Sequence, residues 1–454
     1  MKTLWYMGAK GRLLPGFIEA SVDRVTPPGG VVLDLFAGTG AVSQALASRY
    51  TVVASDVQFY SSTLLGALIG HGPRSSKQLA ARLDFERDLG PCYREHRARL
   101  EGQLGASLEL ERDSLSGVEE GRWRDYIDFV DRSPSFPIAP GAPVASAWGS
   151  ARSLFTAATV ARRRAEPEAE LAHLATSYYQ GVYFGLRQCV EIDSLRYAIR
   201  AIRGPYAARR RRHYLAALLC AASVSTSGTS HFAQPRRLSS EADARAVARR
   251  REQSICDRLR RFADGLRDYV GATSFKPDNR VYTGESSTVL KRVGRRVDTV
   301  YADPPYTADN YSRYYHVLEV LARYDYPALS VRPGGRIAKG RYPEQSYRYQ
   351  SGFCSPARVE AEFRRLIADC AESGSGLVLS YGFPTGLLFR RWAQESSAPG
   401  DLLSRFEALF AERYRDVAIE QRRIMHSGQG DSNHQVTELL VACRAPRRGG
   451  ECAT

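Results

Sequence analysis

Two short runs hold residue types that could do chemistry. The first is Asp303-Pro304-Pro305-Tyr306, inside VDTVYADPPYTADNYSRYYHVLE (297–319). An ordinary turn would use Asn-Gly or Asp-Gly, whereas prolines lock φ and have no N–H to donate. At a strand's end this run presents a carboxylate, a carbonyl with no competing donor beside it, and an aromatic ring. The second run is LDLFAGTGAVS (33–43). Gly38 and Gly40 permit a tight turn and close approach of a ligand to the backbone. Asp56 ends the next apolar run, TVVASD (51–56), where a carboxylate can accept from both hydroxyls of a ribose. The loop lacks a Gly-Lys-Ser/Thr phosphate grip and is not G-x-G-x-x-G. It suits S-adenosylmethionine better than ATP or a dinucleotide; the bland alternative is a glycine turn beside a solvated acid.

Both runs need a scaffold that brings strand ends together. VVLDLF (31–36), TVVASD, VDTVYAD (297–303), GLVLSY (376–381) and QVTELLVAC (435–443) read as strands, with helices such as AVSQALASR and 357–373 between them. RDVAIEQRRIMHS (415–427) reads as the antiparallel partner of the last strand across GQGDSNH. The alternation predicts a doubly wound α/β fold, a seven-stranded, mostly parallel sheet with an antiparallel last strand. Such sheets bind ligands at the carboxyl ends of their strands. Residues 60–275 read differently, as charged amphipathic helices broken by polar stretches, with arginine clusters at 162–164, 209–212 and 249–251. The expected division is 1–59 with 276–446 as the catalytic domain, 60–275 as a mostly helical insertion, and 447–454 as a disordered tail.

Composition narrows the partner. The chain has 454 residues, 64 of them basic and 49 acidic, for a net charge of +15. That excess favours a polyanion, nucleic acid being the commonest. Only six of the basic residues are lysine, which a GC-rich genome would also produce. The eight cysteines are scattered with no C-x-x-C, which argues against zinc and against a disulfide framework and fits a reducing cytoplasm. MKTLWYMGAKG has no apolar leader core, and no apolar run reaches the roughly 18 residues of a membrane span. The expectation is a cytoplasmic, nucleoid-associated protein with no membrane and no metal.

With these pieces in hand, the chain resembles the Dam-like, alpha-class DNA adenine N6-methyltransferases. WYMGAKGRLLPGFI (5–18) is similar to their amino-terminal block, LDLFAGTGAVS with Asp56 to their cofactor motif, and DTVYADPPY to their catalytic motif; VYTGESSTVL (281–290) sits where they have a polar segment. The insertion matches only loosely, at 178–196, and is longer than is common in the family. The resemblance implies a site-specific adenine N6-methyltransferase that takes methyl from S-adenosylmethionine and acts on a flipped-out base in duplex DNA, with a restriction endonuclease or another phage-defence system as partner. The alternatives are an RNA amino-methyltransferase and a non-catalytic DNA-binding defence subunit.

The implied chemistry suits the residues. An adenine amine is a poor nucleophile because its lone pair is delocalised; two acceptors, the Asp303 carboxylate and the Pro304 carbonyl held rigid by Pro305, draw the nitrogen toward tetrahedral geometry. Tyr306 offers a face on which the flipped base stacks. The cofactor set is Tyr6, Lys10, Asp34, Phe36, Gly38, Gly40 and Asp56. Within it, Lys10 either meets the methionine carboxylate or is a solvated surface lysine, Tyr6 flanks the cofactor or packs in the core, and Asp34 binds the cofactor's amino end or caps the loop. DNA contacts are expected from Arg187, Arg196, Arg209, Arg210, Arg211 and Arg212, each of which could instead be part of a solvated face. Tyr311, Arg313 and Tyr315 touch the flipped nucleotide or a phosphate, or else pack the next helix.

Overall fold

The structure is a computed structural model. It describes every residue except 1–9, 72, 135, 139–142, 167–170, 229–230, 334–335, 396–400, 428–432 and 446–454. Tyr6 and the tail 447–454 lie outside the described residues.

Contacts divide the chain into two units. One takes Lys77–Gly271 with Ser312–Arg348, and the other takes Ala272–Tyr311 with the described parts of 6–76 and 349–454. The segment 312–348, next to the Asp-Pro-Pro-Tyr run in sequence, thus belongs with the helices rather than with the sheet.

The sheet unit contains seven strands: β1 (Val31–Asp34), β2 (Thr51–Asp56), β3 (Arg280–Thr283), β4 (Thr299–Ala302), β5 (Gly376–Phe383), β6 (Val417–Ser427) and β7 (Asn433–Cys443). Their order is β3-β2-β1-β4-β5-β7-β6. The first five are parallel, and β7 runs antiparallel to both β5 and β6. β4 and β5 are apolar because helices cover both faces of the sheet. The helix Val359–Glu372 shows the matching pattern, burying Val359, Phe363, Leu366, Ile367 and Cys370 on one face. Phe363 meets Tyr381 of β5 edge-on at 4.9 Å, in a core shared with Phe389, Trp392 and Phe406. From β1 the chain winds outward to β2 and β3, then returns to β4 and winds the other way. The order reverses between β1 and β4, so a crevice opens at their carboxyl ends.

The helical unit is built on Gly90–Glu119, a 30-residue helix, packed against Leu186–Ala201 and Trp123–Arg132. Its core includes Leu100, Leu104, Tyr126, Phe129, Trp148 and Phe155. Three buried acids tie its helices together. Glu111 accepts from the backbone N–H groups of Leu186 and Arg187 at 2.6 and 2.8 Å. Glu191 accepts from those of Ile255 and Cys256 at 2.5 and 3.1 Å. Asp193 accepts from those of Ala175 and Thr176 at 2.8 and 2.9 Å. Each acid sits at the start of another helix, where orphan N–H groups and the helix dipole favour a negative charge.

Candidate active site

The glycine loop leaves β1 and turns through Gly38 (φ 52°) and Gly40 (φ 80°) into the helix Ala41–Leu46. Gly40 is required twice over: its φ is left-handed, and a Cβ there would stand 2.8 Å from Leu65 Cδ2. Asp56, at the end of β2, fixes the loop from the neighbouring strand. Its Oδ2 accepts the Gly38 N–H at 3.0 Å and its Oδ1 the Gln58 N–H at 2.8 Å. Phe36 is half-buried and meets Phe353 edge-on at 5.6 Å.

Asp34, the last residue of β1, is 1% exposed. Ser43 Oγ donates to its Oδ2 at 2.5 Å, while its Oδ1 is buried with no partner among the described residues. Burial pushes this carboxyl up to about 7; the Ser43 hydrogen bond opposes the shift and the charge of Asp303 adds to it. A buried acceptor without a donor costs about 1–3 kcal/mol. The cradle therefore fits a cofactor that brings a donor or a cation to Asp34, and S-adenosylmethionine carries an ammonium group.

At the end of β4, across the switch point, Asp303 belongs to a cluster drawn from four segments. Lys10 comes from the short turn Lys10–Arg12 and is buried, which removes the solvated-surface reading. Its Nζ lies 2.6 Å from Tyr306 Oη, 2.7 Å from Glu438 Oε1 and 3.2 Å from Asp303 Oδ1. Tyr306 Oη is 2.7 Å from Asp303 Oδ1 and is also bonded to Glu438 Oε1. Ser380 Oγ donates to Glu438 Oε1 at 2.5 Å. Burial raises Asp303 to about 6, with Lys10 opposing and the charge of Glu438 adding. Burial works against the Lys10 charge, yet the carboxylates of Asp303 and Glu438 raise its pKa overall. Pro304 is buried and Pro305 half-buried. The Tyr306 ring packs edge-on against Tyr381 at 5.0 Å. The Tyr306 hydroxyl reaches into the acid cluster, a contact not expected from the sequence.

Sequence reasoning passed over Glu438, Ser380 and Ser43. Glu438 had a legible mark, a lone acid within the apolar run TELLVAC. The two serines had none, because short hydroxyls in strands and helix starts are common.

The expected DNA contacts separate. Arg196 donates to the carbonyls of Leu321 and Ala322 at 3.1 and 2.9 Å and lies 5.3 Å from the Tyr324 ring; it closes the end of the helix His316–Arg323. Arg210 pairs with the fully buried carboxylate of Asp88 at 2.7 Å. Arg187 donates to the carbonyls of Arg251 and Glu252 and lies 3.5 Å from Glu191. Internal carbonyls and carboxylates already engage the guanidinium groups of these three. Arg209, Arg211 and Arg212 sit on the same helix, Ala207–Ser225; Arg212 is exposed and the other two half-exposed. Tyr315 is buried and packs the following helix, whereas Tyr311 is half-buried. Arg313 lies 5.1 Å from the Tyr342 ring.

Strand order, the antiparallel last strands and two ligand-type motifs at one switch point define an α/β methyltransferase-like protein. The family is more specific. The D12 class N6 adenine-specific DNA methyltransferases match residues 6–130 and 166–347, well over half of the chain, and the chain belongs to that family. It is similar to modification methylase LlaI of Lactococcus lactis subsp. lactis, 31% identical over 24% of this chain and 16% of that protein. It is also similar to the type II methyltransferases M.FokI of Planomicrobium okeanokoites, 33% identical over 20% of this chain and 12% of that protein, and M.NlaIII of Neisseria lactamica, 31% identical over 20% of this chain and 24% of that protein. The matched region therefore spans less than a quarter of each curated relative's length. Among the described residues, no helix is long and apolar enough to cross a membrane.

Proposed function

We propose that this chain transfers a methyl group from S-adenosylmethionine to N6 of an adenine flipped out of duplex DNA, as the modification arm of a restriction-modification system. The observation that carries the reading is the placement of Asp303 and Asp34 at adjacent strand ends, one acid for each reactant. The cofactor would lie across Phe36, Gly38 and Gly40, with its ribose at Asp56 and its amino end at the unpartnered Asp34 Oδ1. It supplies an electrophilic methyl group on a sulfonium.

This chain's residues do the rest. Asp303 Oδ2, which carries no hydrogen bond among the described residues, accepts from the amine, and the Pro304 carbonyl takes its second N–H. A charge-assisted hydrogen bond to a carboxylate is roughly twice as strong as one between neutral groups, so Asp303 must be ionised to act. Holding the amine in line with the methyl group is the main catalytic contribution for a direct displacement. After transfer the nitrogen sheds one proton. The helical unit reads DNA in this account, with Arg209, Arg211, Arg212 and Arg313 meeting phosphates; Tyr311 of the sheet unit lies near the displaced nucleotide. The relatives' names as modification and type II methyltransferases support the restriction-modification setting. Modified-base sequencing of DNA from a host that lacks its own N6-methyladenine, before and after expression of this protein, tests the reading. Methylated adenines at one recurring sequence are expected; unmodified DNA with methylated RNA would overturn it.

A further inference from the structure

Glu438 has no part in the transfer as described above, yet its environment is costly. It is 3% exposed, on a strand whose register places it opposite Gly382 of β5 and Arg422 of β6. Arg422 does not neutralise it, since that guanidinium donates to the Pro15 carbonyl at 3.3 Å and lies 4.9 Å from the Phe17 ring. Burying an ionised carboxylate costs several kcal/mol unless it is paired and hydrogen-bonded. A position needed only for packing would hold an apolar side chain, as Leu439 and Leu440 beside it do.

The partners of Glu438 share one destination. Lys10, Tyr306 and Ser380 all meet its Oε1, and two of them, Lys10 and Tyr306, also meet Oδ1 of Asp303. One ammonium group therefore serves two carboxylates. Among the described residues, Tyr301 from β4 and Asp34 from β1 also face this cluster; burial raises both, the charge of Asp303 adds to each shift, and those of Asp34 and Glu438 add to that of Tyr301. None of these adds a second cation. Without Glu438, the full charge of Lys10 would fall on Asp303 alone, in competition with an incoming amine.

We infer that Glu438 is a positioning residue: it anchors Lys10 and Tyr306 against Oδ1 of Asp303, shares the lysine's charge, and so leaves Oδ2 as a strong acceptor for the target amine. The inference rests on the methyl-transfer reading above and adds to it a residue that acts through Lys10 and Tyr306 rather than on the substrate. It has a signed consequence for pH. Asp303 must be ionised, and the charge of Glu438 raises its pKa. Removing that charge makes Asp303 ionise more readily, even as it weakens the acceptor.

The test measures kcat, KM for S-adenosylmethionine and the acid limb of the pH-rate profile on duplex DNA, for wild type, Glu438→Gln and Glu438→Asp. Glu438→Gln is expected to lower kcat by at least about tenfold with KM within about threefold, and to shift the acid limb to lower pH. Glu438→Asp keeps the charge, so its limb should stay in place while kcat falls less. A Glu438→Gln enzyme with wild-type kcat overturns the inference. So does one whose kcat falls with an unmoved limb and a lowered melting temperature, which would mark a packing role. If the glutamine variant does not fold, Glu438→Asp decides: an unchanged kcat refutes, and a reduced kcat at constant KM supports. A wild-type protein that methylates no DNA is a different result, and defeats the functional reading instead.

Discussion

Asp193 in the helical unit is fully buried and Asp303 in the sheet unit partly so, and desolvation raises both to about 6. Their titration does not tell them apart; their partners do. Asp193 uses both oxygens on donors fixed by the fold, the N–H groups of Ala175 and Thr176, Thr176 Oγ1 at 2.7 Å and Tyr324 Oη at 2.5 Å. Nothing is left over for a ligand. Asp303 has one oxygen engaged and one free among the described residues, and competes with Glu438 for a single lysine. Asp34 completes the contrast with a buried oxygen that has no donor among the described residues. Perturbed acids are candidate functional groups only in proportion to the capacity they leave unused. By that measure Asp193 is spent on holding helices, whereas Asp34 and Asp303 keep acceptor capacity among the described residues.

The comparison breaks most visibly if Asp303 proves dispensable. Asp303→Ala should lower methyl transfer by at least about 100-fold, comparable with loss of a preorganised charge-stabilising group, while melting stays near wild type and cofactor affinity stays within about tenfold. The mirror case is Asp193→Ala. It strands two backbone donors, a threonine and a tyrosine in the core, so calorimetric or denaturant unfolding should show a loss of about 3–5 kcal/mol. Methyl transfer per folded molecule should be retained.

Smaller effects sharpen the contrast. Asp56→Ala should weaken binding of S-adenosylmethionine by about 1–3 kcal/mol in titration calorimetry, and unchanged affinity would remove Asp56 from the cradle. Asp34→Asn removes an acid whose folded pKa is raised from 3.8 to about 7. In the wild type this carboxyl is neutral in both states at low pH. As pH rises the unfolded chain ionises it first, so stability is lost progressively up to about pH 7 and then levels. The asparagine variant should escape that loss. Its melting temperature should exceed that of the wild type by a margin that grows between these pH values, while cofactor binding weakens. The smallest effect is expected at the surface. Replacing Arg209, Arg211 and Arg212 by glutamine should weaken binding to all duplexes alike and reduce the salt slope by about 0.9 per lost phosphate contact. An unchanged slope would return them to a solvated face.

What was legible in the sequence follows from how local each feature is. The apolar strands and glycine loop announce themselves in a few consecutive residues, so the sheet, its antiparallel end and both motifs could be read. β3 (Arg280–Thr283) was missed as a strand because it is a polar edge with no buried residue. The internal partners of the arginines were hidden for the opposite reason. Arg196 and Arg210 look like any others in a basic run, and only the fold reveals that one closes a helix and the other neutralises Asp88. Glu438 lies 428 residues from Lys10, and no spacing rule connects them. Long-range polar clusters of this kind depend on which strand ends the topology brings together.

If the proposed function holds, the Asp303 site acts on the amine of adenine in duplex DNA. Incubating purified protein with S-adenosylmethionine carrying a labelled methyl group and a duplex rich in both adenine and cytosine, then digesting to nucleosides for mass spectrometry, addresses it directly. Labelled N6-methyladenine is expected as the dominant product, absent with single-stranded RNA of the same sequence. Labelled N4-methylcytosine as the main product, or label incorporated only into RNA, would contradict it.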